Sequence, residues 1–256
     1  MRDLLEGIEP SGIDPAESVR AAQRTALPKR FYKAASVGTD EEGFTILLDG
    51  RPVRTPARGI LRLPTRALAE AVAAEWEAQV EQINPHAMPL TRLVNVVLDG
   101  VMRDPSASAA EVVSYAGTDL LCYRADGPAR LEALQAQAWD PVLNWFRDQH
   151  GARFFLSTGV RHVQQPEETL ARIAALVPNE PFRLAAVTSM TGLTGSALLA
   201  LAVAHGAIDA EAAWAAAHVD EDWNRAQWGE DELAAARHAA RKVEMDAAAR
   251  LLALLD

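Results

Sequence analysis

Two carboxylates stand in apolar surroundings, Asp119 in YAGTDLLCYR and Asp140 in QAWDPVLNWF. Burial there would raise a carboxyl pKa towards the range of a general acid or base. Each also has a structural reading, which is the preferred one. Asp119 follows Gly117-Thr118 and can cap or turn the chain, and Asp140 precedes Pro141 as at a helix cap or kink. Trp139, Trp145 and Phe146 flank Asp140 at helical spacing and read as core. No second polar group completes a catalytic constellation around either carboxylate, so no catalytic residue is assigned.

Other chemistry is poorly supported. The chain has no H-E-x-x-H, C-x-x-C, G-x-S-x-G or G-x-x-x-x-G-K-[ST], the short patterns that place zinc ligands, redox thiols, acyl-transfer serines and phosphate loops. Gly192, Gly195 and Ser196 imitate a phosphate cradle, but no lysine and no strand accompany them, so close helix packing by small residues is the better reading. The histidines at 86, 150, 162, 205, 218 and 238 do not share metal-ligand spacing, except that folding could bring others near His205. Neither a metal nor a cofactor is expected. The single cysteine, Cys122, lies in the apolar run DLLCYR and reads as a small core residue.

A third group of residues suggests binding. From Ala217 to Leu233 the chain reads AHVDEDWNRAQWGEDEL, with six carboxylates and two tryptophans around one helix break. The bland reading is a solvated acidic helix end. The sharper one is a protein-docking site with aromatic anchors, built from Glu221, Asp222, Trp228, Glu230, Asp231 and Glu232. A single helix over 209–228 would place Trp214, Glu221, Arg225 and Trp228 on one face, with Glu221 and Arg225 as an i,i+4 pair. Gly229 would end that helix in a left-handed conformation, and Glu230 to Glu232 would meet the positive end of the last helix.

The elements that hold these residues follow from periodicity. Residues 30–63 alternate and turn like short strands, with Asp49-Gly50 as a hairpin turn and Pro52 and Pro56 marking a sheet edge or extended loop. Thr65 is the N-cap of a helix through Ile83, with Leu68, Val72, Trp76, Gln79 and Ile83 on one face. A second helix is expected from Leu90 to Met102. Further helices are placed at about 107–116, 129–149, 166–176, 181–190, 194–204, 209–228 and 230–255, with a short extended piece around Phe154 and Phe155. Strands come first and helices after, so the class is α+β. The division is a flexible extension over 1–28, a β-rich part with a covering helix over 29–88, and a larger helical part over 89–256.

Composition narrows the partners. The formal charge of -10 and pI of about 5.1 argue against nucleic acid or an anionic membrane surface, and no stretch is apolar enough to span a bilayer. The acidic first residues, with Asp3, Glu6, Glu9, Asp14 and Glu17, lack the chemistry of a mitochondrial presequence and the apolar core of a secretory signal. A bacterial cytoplasm is the expected compartment, and a chain that is monomeric when free is the expected state. A basic or amphipathic protein is the expected partner class.

Eight stretches in order carry a family resemblance: RFYK at 30–33, LDGRPVRTP at 48–56, EWEAQ at 75–79, MPLTRLVN at 88–95, TDLLCYR at 118–124, WDPVLNW at 139–145, TGS at 194–196 and DEDWNRAQWGED at 220–231. Together they resemble the assembly chaperones that act on the alpha subunit of the ATP synthase catalytic head. The resemblance implies a two-part fold, no enzymatic activity, and binding of unassembled alpha subunit until the beta subunit takes its place. It also implies a functional role for the acidic residues of the WGED region, here Glu221, Asp222, Glu230 and Asp231. Asn224 stands where the family pattern has glutamine. An acidic scaffold for another basic partner, or an enzyme using Asp119 or Asp140, are the alternatives.

Overall fold

Two turn sequences fold the first strands of the described structure back on one another. A computed structural model describes residues 27–256 apart from 160 and 230. β1 (Ala35–Asp40) and β2 (Gly43–Leu48) pair antiparallel around an acidic turn, with Asp40 opposite Gly43. At the far end of β2, Asp49 and Gly50 have φ of 48° and 81°, the two positive angles that the tightest hairpin turn requires. The chain then returns as β3 (Arg51–Pro52), whose brevity follows from Pro52, which has no N–H to donate. β4 (Arg62–Leu63) pairs with the Phe44–Thr45 end of β2, so β2 is central to a small antiparallel sheet, as its alternation predicts.

α1 (Arg66–Glu77) covers that sheet. Thr65 caps it, its Oγ1 accepting from the Leu68 amide at 3.2 Å and donating to the Leu254 carbonyl at 2.6 Å. Leu68 and Val72 are fully buried. The helix stops at Glu77 rather than continuing to Ile83. Gln79 folds its side chain back, donating to the Glu75 carbonyl at 2.9 Å and accepting from the Asn84 amide at 2.8 Å. Residues 81–83 are drawn out to pair with 28–30 instead: the Ile83 amide donates to the Pro28 carbonyl at 2.8 Å, and the Arg30 amide to the Glu81 carbonyl at 2.9 Å.

The remaining described elements are helical except for one short parallel pair. They are α2 (Pro89–Val96), running on as a wider π turn through Val97–Val101, and α3 (Pro105–Gly117). β5 (Tyr123–Arg124) then precedes α4 (Ala129–His150), and β6 (Ser157–Thr158) pairs with β5. α5 (Glu167–Ala174), α6 (Pro181–Thr194), α7 (Ala197–Ala204), α8 (Ala210–Ala217), α9 (Val219–Trp228) and α10 (Glu232–Ala253) complete the chain. The architecture is α+β, with the strands N-terminal and the helices C-terminal. α7 is apolar on all sides and lies at the centre, with Ala197 to Leu201 fully buried. α6 packs against α10, α7 and α3, and α2 links α1 to α10. The expected helix over 209–228 is in fact two helices meeting at His218, and the expected 194–204 helix starts only after Ser196.

Candidate functional site

α9 leaves α8 at a sharp corner made by one histidine. The His218 amide closes on the Ala215 carbonyl at 3.2 Å, a tighter turn than an α-helix makes. Its Nδ1 lies 2.7 Å from the Trp214 carbonyl, which gives that oxygen a ring partner in place of the next helical amide. α9 restarts at once, with Asp220, Glu221 and Asp222 in its first turn, where the helix dipole favours negative charge. The corner rotates α9 relative to α8. Trp214 is therefore buried at 5% exposure while Trp228 is 87% exposed, and the single face expected for Trp214, Glu221, Arg225 and Trp228 does not form.

No residue of α9 is fully buried. The helix rests on α4 along one side and leaves a groove of about 620 Å³ there, floored by Leu134, Ala138, Ala216, Val219 and Trp223. Arg130 stands over the Trp223 ring at 5.8 Å at the rim. A second groove, between α9 and α10, is more polar and is lined by Trp228, Glu221, Asp231, Arg237 and Arg241. α9 is thus a ridge between two grooves, with the Trp228 indole standing free at its end.

The expected docking residues are placed as follows. The Asp222 carboxylate takes a hydrogen bond from Arg225, so Arg225 pairs at i,i+3 and the expected Glu221–Arg225 pair is not made among the described residues. Glu221 is exposed, its carboxylate 3.8 Å from Nε2 of His218. Gly229 ends α9 with φ 89° and ψ 177°. This is an extended glycine conformation, so the chain leaves straight and not in the left-handed helical turn expected. Asp231 is the N-cap of α10, accepting from the Leu233 amide at 3.1 Å, and Glu232 follows in the first turn. Glu230 lies outside the described residues. Asp220 faces inward: Gln135 of α4 donates to it at 2.7 Å, and the buried Gln135 accepts from the Ala125 amide at 2.8 Å. One acid of the cluster is therefore committed to holding α9 on α4.

Asp119 and Asp140 do structural work. Asp119 is fully buried and accepts from the Leu121 amide at 3.1 Å, the Ser196 hydroxyl at 2.7 Å and the Leu198 amide at 3.0 Å. Burial raises its carboxyl to about 6, against the opposing pull of those donors. It caps the turn at Leu120–Cys122 and the start of α7 at once. Asp140 sits inside α4, since Pro141 does not break that helix, and pairs with Arg124 at 2.7 Å. Cys122 is buried beside Asp119, and desolvation with that charge pushes its thiol up to about 12.

The profile of the ATP12 chaperone protein family matches residues 29–147. A solved structure of ATP12 from Paracoccus denitrificans is 41% identical, with a TM-score of 0.84, over 90% of this chain and 99% of the other. The chain belongs to the ATP12 chaperone family. A protein of Agrobacterium tumefaciens, solved as a candidate chaperone, is 48% identical over 96% of this chain and 93% of its own, with a TM-score of 0.87. The mitochondrial protein atp12 of Schizosaccharomyces pombe is 23% identical over 78% of this chain and 74% of its own. This is the family of ATP synthase assembly chaperones that the eight sequence stretches resemble, and its members are chaperones, not enzymes.

Seven of the eight stretches that carry the resemblance contain side chains with a folding role. The Tyr32 hydroxyl donates to the Trp76 carbonyl at 2.6 Å, and Arg30 reaches the Glu77 carbonyl at 2.9 Å. Thr55 donates to Asp99 at 2.7 Å. Glu75 accepts from the amides of Leu90 and Thr91, each at 2.8 Å, and so caps α2 from α1. Asp119 joins TDLLCYR to TGS through Ser196, and the Trp139 indole donates to the Ala216 carbonyl at 2.7 Å. In the eighth stretch, Asp220 and the Asp231 cap have such partners, whereas the Trp228 side chain is 87% exposed. Sequence spacing gave no sign of one further arrangement: folding brings His218, Glu221 and His238 together, with one ligand-capable atom of each within 4.8 Å of the others.

Proposed function

We propose that this ATP12-family chaperone binds the unassembled alpha subunit of the ATP synthase catalytic head through α9 and the first turn of α10, and prevents its aggregation until the beta subunit replaces it. The observation that carries the site is Trp228, a large aromatic 87% exposed at the end of a helix, within one of the stretches that carry the resemblance. Aromatic side chains of this kind supply most of the energy in protein interfaces when a partner covers them. A ring subunit without its neighbour exposes an apolar interface that promotes self-association, and the apolar groove between α4 and α9 can receive side chains from such a surface. Asp222 beside the apolar groove, Asp231 beside the polar one and Glu232 in the first turn of α10 add negative charge, which orients a basic partner and speeds encounter. Release by competition requires no nucleotide. We infer a bacterial cytoplasm as the compartment, because the bacterial relatives are about twice as identical to this chain as the mitochondrial one. Among the described residues, no helix is long and apolar enough to cross a membrane.

The test is binding of purified alpha subunit to the Trp228→Ser and Glu232→Lys variants. Loss of a central aromatic costs about 2 kcal/mol, so Trp228→Ser should weaken binding roughly 30-fold. Glu232→Lys should slow association and reduce its salt dependence. Wild-type affinity in both variants would remove α9 and α10 from the interface. A complex with some other basic protein, and none with alpha, would favour the scaffold reading.

A further inference from the structure

Three donor side chains from two helices and the corner between them converge beneath α9. His218 forms the corner of α8 and α9, Glu221 is one turn further on, and His238 comes from the second turn of α10 and beyond, twenty residues away along the chain. The Nδ1 of His218 is held against the Trp214 carbonyl at 2.7 Å, which leaves Nε2 facing Glu221. Metal-binding histidines are oriented in this way, one ring nitrogen donating to a carbonyl and the other free to ligate. The His238 Nε2 is buried and has no hydrogen-bond partner. A lone buried imidazole nitrogen is costly to leave unsatisfied, so the arrangement calls for a ligand. The Trp214 ring lies 4.0 Å from the His218 ring and 5.0 Å from the His238 ring, and holds both orientations by packing.

We propose that His218, Glu221 and His238 form a binding site for a divalent transition metal, with zinc as the ion that fits best. Two imidazoles and one carboxylate are a zinc donor set, and three protein ligands leave one position open. Arg241 lines the same groove, but its guanidinium donates to the Leu193 carbonyl at 2.5 Å and is drawn towards α6. The ion would draw Glu221 inward and staple the lightly packed α9 onto α10. Glu221 and His238 line the same groove as Trp228 and Asp231, so metal occupancy would set the geometry of the proposed docking ridge.

The experiment is equilibrium dialysis of the untagged full chain against zinc chloride, with differential scanning fluorimetry on the same samples, and no alpha subunit present. About one zinc ion per chain is expected, with a rise in melting temperature. Glu221→Gln and His238→Gln, which alter residues outside the closed core, should each weaken zinc binding about tenfold or more and lose most of the thermal shift. His205→Gln serves as control, because His205 lies near His150 in another ring pair, and it should bind as the wild type does. Absence of zinc binding by the wild type would overturn the proposal. So would equal binding by all the variants, or loss of binding in His205→Gln alone. Partner binding enters none of these readouts, so their failure leaves the chaperone reading standing.

Discussion

Asp119 offers the sharpest prediction from the interior. Replacing it by Ala strands three donors in a closed core, the amides of Leu121 and Leu198 and the Ser196 hydroxyl. Each unsatisfied buried donor costs about 1–3 kcal/mol, and with partial relaxation the sum is about 3–6 kcal/mol. That is a large share of the roughly 5–15 kcal/mol that holds an ordinary domain together. Asp119→Asn keeps the volume and one acceptor, and is the better variant for the second part of the prediction. The folded-state pKa is raised to about 6, above the value of about 3.9 for an unfolded aspartate. Between these values the folded protein retains a proton that the unfolded chain has released. The stability this contributes is present in full below about pH 4 and is lost as pH rises through about 6, in total roughly 3 kcal/mol. Urea unfolding followed by tryptophan fluorescence, at intervals from about pH 4 to 7, measures it for wild type and Asp119→Asn. The wild type's advantage over the variant should shrink by up to about 3 kcal/mol across that window. Parallel stability curves would refute the claim that burial dominates the ionisation of Asp119.

Three further outcomes follow from named contacts. Thr65→Ala removes the cap of α1 and its bond to the Leu254 carbonyl, and should lower stability by about 1 kcal/mol in chemical denaturation. Cys122 should resist a thiol-specific reagent in the native protein at mildly alkaline pH and react on unfolding, since its thiol is buried and pushed up to about 12. Trp228→Ala should change stability by less than about 0.5 kcal/mol, and should remove the most acrylamide-quenchable part of the tryptophan fluorescence.

Much of the fold was legible because local signals agreed with the packing. Asp49-Gly50 demanded its turn, Thr65 its cap, and the order of strands before helices its class. The errors have long-range causes. α1 ends early because residues 81–83 pair with 28–30, a partnership that no local periodicity encodes. The helix over 209–228 breaks because the His218 ring takes the Trp214 carbonyl, which helical spacing alone does not disclose. That break separates Trp214 from Trp228, and it makes the first buried and the second free. The structural reading of Asp119 was available from its neighbour Thr118, although its partner Ser196 lies elsewhere in the chain; Asp140 sits inside α4 as the partner of Arg124, and not at the helix cap that Pro141 suggested. Asp220 is one more carboxylate of the acidic stretch by sequence, and only the buried Gln135 shows its separate task. The meeting of His218 and His238 was beyond sequence spacing, because α10 turns back to supply the second ring.

The central claim is tested most directly by co-expressing this protein with the isolated alpha subunit of its host's ATP synthase and measuring soluble alpha, with and without the beta subunit. The account predicts that soluble alpha is recovered in a complex with this chain, that beta displaces it, and that Trp228→Ser recovers less. Alpha that aggregates to the same extent with and without this protein, and no complex between them, would contradict it.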